Sequence, residues 1–274
     1  MDYLDLLYDD LLSQGIAHPD WMLGAMAGAL TAFFVQLYYW LGRYGGLPRF
    51  RNNRGIRPQI PSPPVSVVVV IRENGYYFIE NYLPLLLGQR YDEFEVVAVD
   101  CSYDEEIGEL LHEKSLACSR LHVTAIKQQR SAGHGTKLAL TVGIKACAYE
   151  HIVFTTTDCY PSSDKWLSLM AKGFINGDIV IGYCGIEPGK GLANRLMRCS
   201  RLAGSVRWLS AATRSRAYRG IAGNIGYTKS LYFESRGFNY LNMEIGDDDL
   251  FIQKIATSDN VSVVMNPAAT MRQV

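Results

Sequence analysis

The run Val65-Ser-Val-Val-Val-Val-Ile71 is an almost unbroken series of β-branched apolar residues. A strand with one wet face alternates apolar and polar positions, so a run without alternation expects burial on both faces, as in a parallel sheet covered by helices. Parallel neighbours cannot be joined by a tight hairpin and need a crossover. The sequence downstream has the pattern for one, repeatedly. A helical segment at Tyr77–Leu87 precedes a strand at Glu95–Val99 that ends on Asp100, and a helix at Glu105–Leu116 precedes a strand at Leu121–Ile126. A helix at Thr136–Ala148 then leads to a fourth strand, Ile152–Thr156, which runs out at Asp158 and is stopped by Pro161 before a new helix. This alternation predicts an α/β fold with right-handed crossovers and a doubly wound, mostly parallel sheet. At 274 residues and 48% hydrophobic content, the chain can bury one sizeable core and carry one appended segment.

That segment is N-terminal. Residues Trp21 to Gly42 hold no charged side chain, and only Thr31 and Gln36 are clearly polar. At 1.5 Å per residue such a helix is about 33 Å long, enough to span a bilayer core. Trp21 at one end and Tyr38, Tyr39 and Trp40 at the other match interfacial aromatic belts. A cleaved signal peptide fits less well, because no basic residue precedes the run; a buried core helix is the other reading. Asp2, Asp5, Asp9, Asp10 and Asp20 lie before the span, and Arg43, Arg49, Arg51, Arg54 and Arg57 follow it. The positive-inside rule then puts the N-terminus outside and the remainder in the cytoplasm, a single-pass protein of the inner membrane. Leu4, Leu7 and Leu11 recur at helical spacing, as in a short amphipathic helix on the membrane. Pro58, Pro61, Pro63 and Pro64 make a stiff linker. The expected organisation is an outer segment 1–20, a transmembrane helix 21–42, a basic, Pro-rich linker 43–63 and a globular domain 64–274.

Charge balances at 27 basic against 27 acidic residues, which gives no reason to expect nucleic acid. The six cysteines show neither CxxC spacing nor a companion His cluster, and read as free thiols in a reducing compartment rather than disulfides or a metal site.

Three successive strand ends carry acids: Glu73, Asp100 and Asp158. In open α/β sheets ligands bind outside the carboxyl ends of strands. Each acid alone reads as a cap or turn residue. Gathered together, carboxylates repel unless a cation or the hydroxyls of a ribose or sugar fill the gap. Arg72-Glu73-Asn74-Gly75 lacks GxGxxG, and Gly133-His134-Gly135-Thr136-Lys137 lacks the P-loop spacing, although Lys137 near a helix N-terminus suits an anion. Asp247, Asp248 and Asp249 precede an apolar helical pattern. An N-cap with first-turn charges explains one or two of them; a general base accepting a hydroxyl proton is the functional reading. From Arg195 to Arg219 lie seven arginines and no acid, interleaved with Leu196, Met197, Leu202 and Trp208. Both a solvated basic helix and contact with anionic headgroups or a phosphorylated lipid fit that pattern.

In order, these pieces resemble a family 2 glycosyltransferase of GT-A fold, of the membrane-anchored bacterial type that makes polysaccharides or glycolipids. The likeness runs from about Pro64 to Thr270. It rests on Val65–Asn74, Gln89–Asp100, Lys137–Gly143, Phe154–Pro161, Trp166, Gly223–Leu231, Gly237-Phe238 and Gly246–Leu250. The resemblance implies an inverting hexosyl transfer from a UDP- or GDP-sugar to a hydroxyl of a glycan or lipid-linked acceptor. Arg72, Glu73, Asp100, Lys137 and Asp158 would bind the donor, Asp158 through Mg²⁺ or Mn²⁺ on the diphosphate. Asp247, or else Asp248 or Asp249, would be the base, and Arg219, Gly223 and Asn224 would meet acceptor or phosphate. The chain departs from the family at Thr156, where the first acid of DxD is expected, at Cys101, Thr141 and Gly246, and in lacking a QxxRW segment. Those departures support a second reading, a weakened homologue that tethers or regulates partner proteins of a polysaccharide assembly complex. A nucleotidyltransferase would want a Gly-rich loop after the first strand, which Arg72–Gly75 does not supply.

Overall fold

In the computed structural model, which describes residues 3–13, 19–44, 47, 63–126, 135–238 and 247–274, the first strand of the globular unit is buried nearly throughout. The chain divides into two compact units, Met1–Arg49 and Phe50–Val274. In the first, helix α1 (Tyr3–Ser13) precedes α2 (Pro19–Tyr38), which continues as a π-helical stretch to Tyr44. The side chains of Leu4, Leu7 and Leu11, and most of the expected linker 43–63, lie outside the described residues. Over Trp21–Tyr44 the helix is long and apolar enough to cross a membrane, with a mean hydropathy of 1.4 and exposed side chains such as Phe33 and Phe34.

The second unit follows the alternation read from the sequence. Strand β1 (Val65–Ile71) leads through α3 (Gly75–Tyr77), a π turn and α4 (Leu83–Leu87) to β2 (Phe94–Asp100). Helix α5 (Glu105–Ala117), capped by the Asp104 carboxylate accepting from the Glu106 N–H, precedes β3 (Leu121–Ala125). Helix α6 (Gly135–Ala146) precedes β4 (His151–Thr156). Then come β5 (Cys159–Pro161), α7 (Trp166–Gly173), β6 (Ile179–Gly182), β7 (Cys184–Ile186) and α8 (Leu192–Ala212). The chain continues with β8 (Ile225–Thr228), α9 (Lys229–Glu234), α10 (Asp247–Ile255), β9 (Val261–Val264) and β10 (Met271–Gln273).

Among the described residues the main sheet has seven strands in the order β3-β2-β1-β4-β8-β6-β9. The half from β3 to β4 is parallel, and β8 runs antiparallel to both its neighbours. Helices cover both faces. Helix α6 comes close because residue 143 is glycine: a Cβ there would meet Val68 Cγ1 at 2.8 Å and Val99 Cγ2 at 2.9 Å. The other face buries Phe78, Leu83, Leu86, Trp166, Leu167 and Met170.

A smaller sheet, β5-β10-β7, stands beside the end of β4. Pro161 was expected only to end the fourth strand. It instead closes β5, opposite Met271 of β10, at the edge of this small sheet, where a missing N–H is tolerated.

Candidate active site

Register sets the first wall of the site. Val70 lies opposite Thr156, and Ile71 opposite Asp100, so β1, β2 and β4 run out at the same level. Beyond that edge is a cavity of about 460 Å³, lined by Arg72, Glu73 and Asn74 after β1, by Thr155 and Thr156 at the end of β4 with Thr157 and Asp158 after it, and by Lys137 of α6. Its far side is apolar: Tyr227 of β8, Phe238, and Phe251 and Ile252 of α10. Phe251 packs edge-on against Tyr227 and tilted against Phe238, with ring centroids 5.1 and 5.0 Å apart, which makes this a packed wall. The turn after β1 requires Asn74 in the left-handed region, at φ 56°, which asparagine tolerates better than most residues.

Asp158 is held on both carboxylate oxygens. Thr156 Oγ1 donates to Oδ1 at 2.5 Å, and Gln273 Nε2 donates to Oδ2 at 2.7 Å. Gln273 Oε1 in turn accepts from Arg201 Nη2 of α8 at 2.6 Å. A guanidinium can only donate and a carboxylate only accept, so the pair fixes which way the Gln273 amide points. The Val274 N–H also bonds the Asp158 carbonyl at 3.0 Å. Behind Thr156, the buried thiols of Cys159 and Cys184 are 3.7 Å apart; the contact with Cys184, then burial, pushes the Cys159 thiol up.

Of the residues expected from sequence, Arg72, Glu73, Lys137 and Asp158 line the cavity together. Asp100 does not. Its Oδ1 accepts from the Ser102 N–H and hydroxyl at 2.9 and 2.7 Å, which makes it a turn residue beside the cavity. Asn224 is fully buried and spent on structure: Oδ1 accepts from the Trp166 indole at 2.9 Å, and Nδ2 donates to the Tyr183 and Ala269 carbonyls at 2.8 and 2.9 Å. Gly223 is a close-approach position, where a Cβ would lie 2.9 Å from Cys159 Sγ. Neither residue reaches the cavity lining. Arg219 pairs with Asp249 through Nε at 3.3 Å. Burial pushes the Asp249 carboxyl up, opposed by the Arg219 guanidinium and a backbone bond from Gly220. Asp247 opens α10, but its side chain and that of Asp248 lie outside the described residues, as do Gly133, His134 and Gly246.

Residues that sequence reasoning missed are Thr155, Tyr227, Phe251, Gln273 and Arg201. Thr155 lines the cavity with a buried hydroxyl that has no partner among the described residues. Arg201 lay within the acid-free arginine stretch, yet nothing in that pattern marked it as the one reaching inward.

Among the described residues no three His, Cys, Asp or Glu side chains gather as a metal set. Asp158 offers a single carboxylate, already hydrogen-bonded on both oxygens. Mg²⁺ and Mn²⁺ are held elsewhere by one or two carboxylates together with substrate phosphates and water. The residues therefore fit such an ion only as a bridge to a bound diphosphate.

The fold recurs in solved glycosyltransferases. A mannosyltransferase from Pyrobaculum calidifontis, PcManGT, in complex with GDP-Man and Mn²⁺, matches with a TM-score of 0.65 and 20% identity over 91% of this chain and 68% of that one. TarS 1–349 of S. aureus matches with a TM-score of 0.55 and 20% identity over 77% of this chain and 60% of its own. The same TarS segment in complex with UDP-GlcNAc also matches, with a TM-score of 0.55 and 20% identity, over 76% of this chain and 58% of that one. The globular unit thus has the GT-A-like α/β fold of these enzymes. No family model matches the sequence, and no curated protein matches it by sequence.

Proposed function

We propose that this chain is a nucleotide-sugar-dependent glycosyltransferase of the family 2 type, moving a hexose from a GDP- or UDP-sugar to a hydroxyl of a glycan or lipid-linked acceptor. The observation that carries the reading is the cavity at the level ends of β1 and β4, whose lining brings together Glu73, Asp158, Arg72 and Lys137 beside an aromatic wall. PcManGT and TarS, with the same fold, were solved with GDP-Man and UDP-GlcNAc respectively. The helix over Trp21–Tyr44 supports placing the reaction at a membrane, and the arginines after it support the cytoplasmic face of the inner membrane.

In the mechanism, Glu73 and the Thr155 hydroxyl take donor hydroxyls, while Arg72 and Lys137 offset the charge of the diphosphate. An acid at the start of α10, Asp247 by its position or Asp249 by its raised pKa, accepts the acceptor's hydroxyl proton. The acceptor oxygen then bonds to the anomeric carbon as the bond from that carbon to the diphosphate oxygen breaks. The nucleoside diphosphate leaves, and one displacement inverts the centre. Asp158 would hold Mg²⁺ or Mn²⁺, which supplies further charge neutralisation on the leaving diphosphate when bound.

Thr156 favours a second reading, because a hydroxyl stands where a second carboxylate would strengthen the metal contact. On that reading the domain binds donor weakly and serves as a membrane-tethered subunit for partner proteins. Thermal shift of the full-length protein with GDP-mannose, UDP-GlcNAc and related donors, with and without Mn²⁺, followed by a turnover assay on responding donors, separates the two. A donor that raises Tm and is consumed supports the transferase; a donor that raises Tm and is never consumed supports the subunit; no response to any donor overturns both.

A further inference from the structure

Helix α8 has two seams. Asn194, Arg201 and Trp208, seven residues apart, face the body: Asn194 bonds the Glu187 carbonyl and the Gly189 N–H, Arg201 bonds Gln273, and Trp208 is buried. The opposite seam, Leu192, Leu196, Cys199, Leu202 and Ala203, with Val206 half-buried at its end, recurs at helical spacing and is exposed among the described residues. Leu192, Leu196 and Leu202 are 71%, 60% and 53% exposed, although each would be expected inside a core. The stripe is about 21 Å long at 1.5 Å per residue. Arg195 and Arg207 border it on either side.

Charge decides what can cover this stripe. Between Glu187 and Glu234 the chain carries nine Lys and Arg and no Asp or Glu. A second copy meeting it face to face would set arginine against arginine, which costs free energy. An anionic surface with an apolar interior meets both demands: guanidinium groups at phosphate level and leucines at the acyl boundary. The same chain carries a helix long and apolar enough to cross a bilayer, so such a surface is within the chain's reach.

We propose that the outer face of α8 is a docking surface for anionic phospholipid in a bilayer, independent of any catalytic role. Through Arg201 and Gln273 the docked helix is two hydrogen bonds removed from Asp158, so lipid contact seats the cavity's edge close to the membrane plane.

Cys199 is exposed on the stripe and provides the probe. The full-length chain, with half-buried Cys118→Ser, is labelled at Cys199 with an environment-sensitive fluorophore and reconstituted into vesicles. One set is purely zwitterionic; the other contains about one anionic lipid in three. The expected result is a blue shift, with quenching by lipid-borne quenchers, in the anionic vesicles alone. The pair Arg195→Gln and Arg207→Gln should lower the docked population roughly twentyfold, and Leu196→Glu should abolish the shift. Leu116→Glu, on equally exposed α5, should leave it unchanged. Identical emission in both lipids, a shift indifferent to the arginine pair, or a shift in detergent that grows with protein concentration would each overturn the proposal, the last in favour of self-association.

Discussion

The two walls of the cavity are built differently. One is the carboxyl edge of β1 and β4, parallel neighbours that stop level with one another and are largely buried. The other is assembled from β8 and α10, brought together from the second half of the chain, with β10 and α8 joined to it only through the hydrogen bonds that reach Asp158. The first wall places Arg72, Glu73 and Asp158 simply by where strands stop. The second half of the chain acts on one of them: Gln273, itself bonded by Arg201, holds the Asp158 carboxylate, while Phe251 lines the same cavity. Position is local here, and the orientation of the Asp158 carboxylate is not.

The comparison is tested first at Asp158 itself. Asp158→Asn should lower transfer by about 10²–10³-fold in a donor-consumption assay, with Tm little changed, because charge at the diphosphate is lost while the Thr156 and Gln273 contacts have a surviving partner. Asn224→Ala strikes the junction of the two walls. It leaves the Trp166 indole and two buried carbonyls unpaired and should cost about 3 kcal/mol, read as a fall in Tm or in denaturation midpoint. Gln273→Ala and Arg201→Ala should each reduce transfer about tenfold, and the double variant little more than either, since they act through one chain of bonds. Additive losses would mean the second wall does not control Asp158.

The smallest effect is a shift along the pH axis. Arg219 holds the half-buried Asp249 carboxyl down against its desolvation, so Arg219→Gln should raise it further. If Asp249 is the base, the acid limb of kcat/KM moves to higher pH with the plateau unchanged. The stability sign is independent of that role. A carboxyl raised in the folded state favours folding at low pH, and that contribution is lost as pH rises through the folded value; in Arg219→Gln the loss extends to higher pH.

The first wall was legible residue by residue. Val65–Ile71 announced a doubly buried strand, and each helix and strand through Thr156 lies within about two residues of where the pattern put it. The second wall was not. Asn224 looked like a ligand-facing residue within Gly223–Leu231, yet its amide is consumed by Trp166, Tyr183 and Ala269, partners between 41 and 58 residues away. Asp100 ends its strand as expected, then turns its carboxylate to Ser102.

Sequence alone determined the sheet, the crossovers and the strand ends on which acids stand, because strand burial and helix periodicity are written within a dozen consecutive residues. Tertiary structure alone decided which acids share a cavity, that Thr156 and Gln273 hold Asp158, and that Leu192, Leu196 and Leu202 of α8 are exposed while Leu209 is buried. Those outcomes depend on hydrogen bonds and packing across as many as 115 residues of chain, where the partner's identity carries no local periodic signal.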